Sequence, residues 1–191
     1  MARLVLLMSL VGSLALPAGA VAGGTSYEPT HPPRIAAATA EASAFYLEFR
    51  AREEPHGFGH AYVTLGAVEA GGRVEQTVVA GFMPKSADDD RWSRFGLPVA
   101  GLVGVTRSDF VRRPVVRFRV GIDRATYYRV VNEIRGLRRT WTTYELLVRN
   151  CNNFVSQIAS SVGLHTPLLT AQLPVRYVRE LRALNARLSP A

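Results

Sequence analysis

The chain has 191 residues, 48% of them hydrophobic and 20% charged, with a formal net charge of +8. That is one domain's worth of material, apolar enough to bury a core and too apolar for intrinsic disorder, and it carries no collagen, heptad or solenoid period. A single cysteine excludes an intrachain disulfide framework and any zinc site built from several thiolates. The positive charge is almost all arginine, with Lys85 the only lysine. It suits an anionic partner but speaks to association, not to fold.

Met1-Ala2-Arg3 is a short basic start, Leu4 to Leu16 is apolar, and Ala20-Val21-Ala22 has the small-x-small pattern of a signal-peptidase site. This order predicts a secretory signal over 1–22, cleaved after Ala22. The competing reading is an uncleaved anchor, but Pro17 and Gly19 fall where a spanning helix should be continuous. No second apolar run approaches spanning length, so an exported protein, periplasmic or extracellular, is expected. Residues 23–43 hold Gly23, Gly24, Pro29, Pro32 and Pro33 before an alanine-rich stretch. They read as a flexible lead-in with one short helix near 34–43, and His31 within it as solvated. The domain proper is expected over 44–191.

Phe45, Leu47 and Phe49 alternate with Tyr46, Glu48 and Arg50, the period of a half-buried strand. Ala61, Val63 and Leu65 alternate with His60, Tyr62 and Thr64 in a second strand. Val74 to Phe82 makes a third, joined to the second as a hairpin. Residues 84–114 show no clear period. Within them, Asp88-Asp89-Asp90 reads as a solvated loop or helix cap, since no series of alternating ligands follows as calcium would need. Val115 to Val120 predicts a fourth strand with Arg117 and Arg119 on one face.

Asp123 stands as an N-cap before an amphipathic helix over 124–138, and Tyr144 to Val148 reads as strand or extended. Phe154, Val155, Ile158, Ala159 and Val162 form one stripe of a helix from Cys151, stopped by Gly163. Pro174 fits the first turn of a last helix over 174–188. Strands followed by helices predict an α+β fold. Between Arg107 and Arg139 ten arginines face three acidic residues. This stretch is read either as an ordinary solvated face or as a surface for an anionic envelope component. No nucleic-acid partner is expected, because no aromatic-interleaved basic motif accompanies the arginines.

Cys151 opens a predicted helix. A thiol there sits among unpaired backbone N–H groups, which favour thiolate and can also hold an oxyanion. The alternative is a buried structural cysteine. A nucleophile needs a base, and His31, His56, His60 and His165 are the histidines. His60 opens a strand beside a glycine, a rigid mount for a base. It also reads as an ordinary half-buried histidine.

The order of a histidine strand, a second strand, a connecting helix and then Tyr-x-Leu-x-x-x-Asn-Cys-Asn-x-Phe resembles the circularly permuted NlpC/P60-type papain-like cysteine hydrolases. That group includes the lecithin retinol acyltransferase-like and PPPDE-type proteins. Gly59-His60-Ala61-Tyr62-Val63 is similar to their histidine strand, and Tyr144 through Phe154 to their cysteine motif. The likeness spans roughly residues 44–166. It implies a permuted papain-like fold, an antiparallel sheet packed on helices, and covalent catalysis by Cys151 with His60 as base. It also implies a third residue on the next strand, Gln76 first and Glu75 second. A histidine–thiolate pair formed before substrate binds would make Cys151 fast with electrophiles. The implied substrates are an amide or ester in a peptide, in peptidoglycan or in a lipid acyl group, and no metal or organic cofactor is expected. The alternative is a non-catalytic envelope-binding domain of the same fold.

Overall fold

The computed structural model describes residues 31, 34–35, 42–55, 57–69 and 71–188. The expected signal segment, most of the lead-in and His56 lie outside the described residues. In chain order the elements are β1 (Arg34–Ile35), β2 (Ala42–Arg52), β3 (His60–Glu69), β4 (Val74–Pro84), α1 (Ala87–Ser93), β5 (Val99–Gly104), α2 (Ser108–Val111), β6 (Val116–Ile122), α3 (Arg124–Thr140), β7 (Thr143–Tyr144), α4 (Cys151–Ser161) and α5 (Pro174–Leu184). A single 3-10 turn, Ala186–Leu188, follows.

The period-two alternation is what builds the sheet. Strand order is β6-β2-β3-β4-β5-β7, every pair antiparallel, with β1 added alongside β4. Register sets Leu47 against Leu65 and Val120, and Leu65 against Val78. One face therefore carries Phe45, Leu47, Phe49, Val63, Leu65, Val78, Ala80, Phe82 and Phe118, all buried. The apolar stripes of α3, α4 and α5 pack on that face, contributing Tyr127, Ile134, Phe154, Ile158, Tyr177 and Leu181 to one core. Each fully buried side chain of this size contributes about 1.5–3 kcal/mol.

The opposite face is polar. Glu48, Arg50 and Arg119 form one ion-paired group, and Arg52 pairs with Asp109 at 2.9 Å with both side chains nearly inaccessible. Asp109 also accepts from the Thr106 N–H at 2.7 Å, so α2 is tied down by the charge it brings. Buried Tyr62, Val79 and Val105 make a small second cluster on this side.

The α+β reading and the three long helices agree with this architecture. Residues 84–114, without a period in sequence, contain α1, β5 and α2. Their shortness hides them: six residues of β5 and four of α2 are too few to show a repeat. Asp88, Asp89 and Asp90 form the first turn of α1, where the helix dipole favours them, and the Ser86 side chain accepts from the Asp89 N–H. The helix expected near 34–43 is corrected at its start, because Arg34–Ile35 is a strand paired with Val78 and Val79. His31 is exposed as expected, yet its backbone bridges to Val105, so the lead-in is partly fastened to the sheet. The extended segment 144–148 is strand only at Tyr144 and then turns.

Candidate active site

Local sequence builds the start of α4. Asn150 is the N-cap; its side-chain oxygen accepts from the N–H groups of Asn152 and Asn153 at 2.8 and 3.2 Å. Asn153 returns the bond, accepting from the Asn150 N–H at 2.9 Å, which completes a capping box. The other end of the Asn150 side chain donates to the Leu146 carbonyl at 2.7 Å. Cys151 is thereby fixed at the first helical position.

The neighbouring asparagines hold the wall opposite. Asn152 donates to the Thr170 and Gln172 carbonyls at 2.9 and 2.8 Å, and Asn153 donates to the Thr170 hydroxyl at 3.0 Å. The loop between α4 and α5 is thus strapped to the helix start. Between them opens a cleft of about 280 Å³, bordered by Phe58 and Gly59, by Tyr144, Leu146 and Leu147, and by Ala171 through Pro174, with Cys151 at its base. Gly59 has a φ of 85°, and a Cβ there would stand 2.6 Å from the Arg52 carbonyl oxygen. Only glycine brings the chain into β3 at this wall.

Burial pushes the Cys151 thiol up to about 11. The backbone N–H groups of Ala61 and Asn152 and the charge of Arg52 pull the other way and do not prevail. This corrects the expectation of a thiol acidified by its helix. The N–H groups act on the sulfur as foreseen, but the desolvation of a 6% exposed group outweighs them.

Strand alternation decides where the histidine goes. Ala61 belongs to the core face that packs on α4, so His60 belongs to the polar face. Its ring stacks on Tyr62, centroids 5.8 Å apart and 8° from parallel. Its Nε2–Cε1 edge approaches Gly81 of β4, where any Cβ would strike the imidazole. His60 and Cys151 lie near the same end of β3, the Cys151 sulfur accepting from the Ala61 N–H and the His60 ring resting on Tyr62.

Gln76 is not brought to His60 at all. It stands opposite Gly66, six residues further along β3, and accepts from Arg50 at 3.0 Å. An antiparallel hairpin pairs the start of one strand with the end of the next, so the β4 residue near the His60 ring is Gly81, the partner of Tyr62. Glu75 stands opposite Ala67, equally remote. His165 sits past α4, where its N–H donates to Asn185 at 3.0 Å.

Asn150, Asn152 and the wall residues Phe58, Leu147 and Leu173 escaped the sequence reading. The asparagines carried a signal, an N-cap residue with a bonding partner at the third helical position. The apolar wall carried none, since its three segments come together only in the folded chain. No family model, curated protein or solved structure matches this chain.

Proposed function

We propose that this chain is an exported cysteine hydrolase or acyltransferase with a permuted papain-like fold, acting on an amide or ester through Cys151. One observation carries the reading: a thiol on the first residue of a capped helix, with backbone N–H groups from two elements aimed at it, at the base of an open cleft. Donors so placed stabilise negative charge that develops at a carbonyl oxygen. The export rests on the signal pattern of residues 1–22.

His60 is the base in this reading. Its imidazole takes the thiol proton as the sulfur bonds to the acyl carbon. No free thiolate is needed beforehand, which accommodates a resting thiol near 11. His60 then protonates the leaving alcohol or amine as its bond to the acyl carbon breaks. Water or a second nucleophile attacks the thioester and releases Cys151.

A second reading has its own support. The buried, raised thiol suits a binding domain that keeps the fold without chemistry, using its arginine-rich surface for an anionic envelope component.

Activated esters decide between them. The enzyme reading expects an acyl adduct on Cys151 by mass spectrometry, absent in Cys151→Ala, and forming about 10²–10⁴-fold more slowly in His60→Ala. Equal rates in wild type and His60→Ala would remove His60 from the mechanism. No adduct, with binding to an anionic polymer that falls as salt rises, would establish the second reading.

A further inference from the structure

We propose that a second cavity, walled by α4 and the turn that precedes it, is a binding site for a carboxylated sugar. Cys151 does not border it, and the site needs no chemistry there. The cavity holds about 220 Å³. One wall is a face of α4. Asn153, Ser156, Gln157 and Ser160 follow the i, i+3, i+4, i+7 spacing of a single helical face. The opposite stripe, Phe154, Val155 and Ile158, is buried in the core. α4 carries no charged residue, whereas α3 and α5 are rich in arginine. Its outer face is thus a row of uncharged donors and acceptors.

The preceding turn supplies the other wall. Trp141 packs edge-on against Phe82 and Phe154, centroids 5.1 and 6.3 Å apart, which fixes its indole. The Arg149 guanidinium stands over that ring, 5.9 Å from its centroid. Arg149 is the one charged residue bordering the cavity, and among the described residues no carboxylate lies within ion-pair distance of it. Glu133 is outside the lining and accepts from the Gln157 amide at 3.0 Å, which turns the acceptor end of that amide away from it. Asn153 is held by the capping box and by Thr170, so this wall is set before a ligand arrives. A pyranose has C–H groups on its faces and hydroxyls around its edge. Trp141 and Val148 suit the first, and the α4 row suits the second. One guanidinium fork matches one carboxylate. The volume lies below the roughly 300 Å³ at which sites for drug-sized ligands begin, so it fits a single ring.

The test uses the protein's own fluorescence. The chain has two tryptophans, Trp92 and Trp141, so Trp92→Phe leaves Trp141 as the sole indole. This variant is titrated with glucuronate, glucose and acetate at constant ionic strength. Glucuronate is expected to change the emission saturably, with a dissociation constant on the order of 1 mM. Glucose and acetate should each bind at least about tenfold more weakly, because each lacks one half of the recognised chemistry. Arg149→Gln should weaken glucuronate at least about tenfold, and Gln157→Ala about 2–10-fold. Cys151→Ala should bind as the parent does. Ligand-detected NMR repeats the titration, and absence of glucuronate binding by both methods overturns the proposal. Equal binding of acetate also overturns it, since the cavity would then hold any small anion. So does equal binding of glucose, or glucuronate binding that Arg149→Gln leaves unchanged.

Discussion

Cys151 shows how one residue's environment outweighs its address. Helix position argues for a thiolate, burial argues against it, and burial prevails. Two measurable consequences follow. A thiol near 11 carries roughly a hundredth of the thiolate of one near 9 at neutral pH. Iodoacetamide should therefore label the native protein about 100-fold more slowly than a free thiol, with a rate still climbing beyond pH 10. The same shift is a stability term. A folded value raised above the unfolded one favours the fold fully below pH 9 and loses that favour as pH rises towards 11. The loss amounts to about 2–3 kcal/mol. Denaturant midpoints of wild type and Cys151→Ser should thus converge between pH 8 and pH 10.5. Tyr144, raised by burial first and by the neighbouring Cys151 second, adds to alkaline unfolding in both proteins and more in the wild type.

At the scale of elements, the start of α4 is a single device with several functions. The Asn150 side chain caps the helix, accepts from two N–H groups and anchors the preceding turn through Leu146. Asn150→Ala should lower stability by about 1–2 kcal/mol in urea denaturation. It should also speed labelling of Cys151, because the cap holds both walls of the cleft. A variant that loses stability yet labels at the wild-type rate would show that the cap supports the helix and not the cleft. The helix was legible beforehand, since the stripe from Phe154 to Val162 and the Gly163 stop are local signals; its Asn150 cap is as local but went unread. α1, β5 and α2 were not legible. They are short, and what defines β5 is its pairing with β4 and β7. Pairing of that kind joins residues far apart in the chain and leaves no mark on a local pattern.

The whole molecule is a sheet with two unlike faces. Helices cover the apolar face, and the polar face is closed by charges that neutralise one another. Arg119, part of the arginine-rich stretch, is held by Glu48, and Arg112 pairs with Glu54 at 3.4 Å. The excess positive charge of that stretch is consequently smaller on the surface than in the sequence. Arg52 and Asp109 form the buried pair of this face. Asp109→Ala leaves the guanidinium with Glu54 and Thr106 only and should cost about 3 kcal/mol by chemical denaturation. A cost under half of that would mean that water reaches the site.

The sequence by itself determined the α+β class, four long strands, three helices, and the residues Cys151 and His60 as the chemically notable ones. Those follow from periodicity and capping, which act within a few residues of chain. It also set which side of β3 each residue takes, since alternation places His60 opposite to Ala61. Only the tertiary structure decided which side α4 covers. That choice put the cysteine with Ala61, the β3–β4 register set Gln76 six residues from His60, and the packing gathered three unrelated segments into an apolar cleft. It also decided the thiol's charge, because desolvation depends on everything packed around the sulfur and not on the helix that carries it.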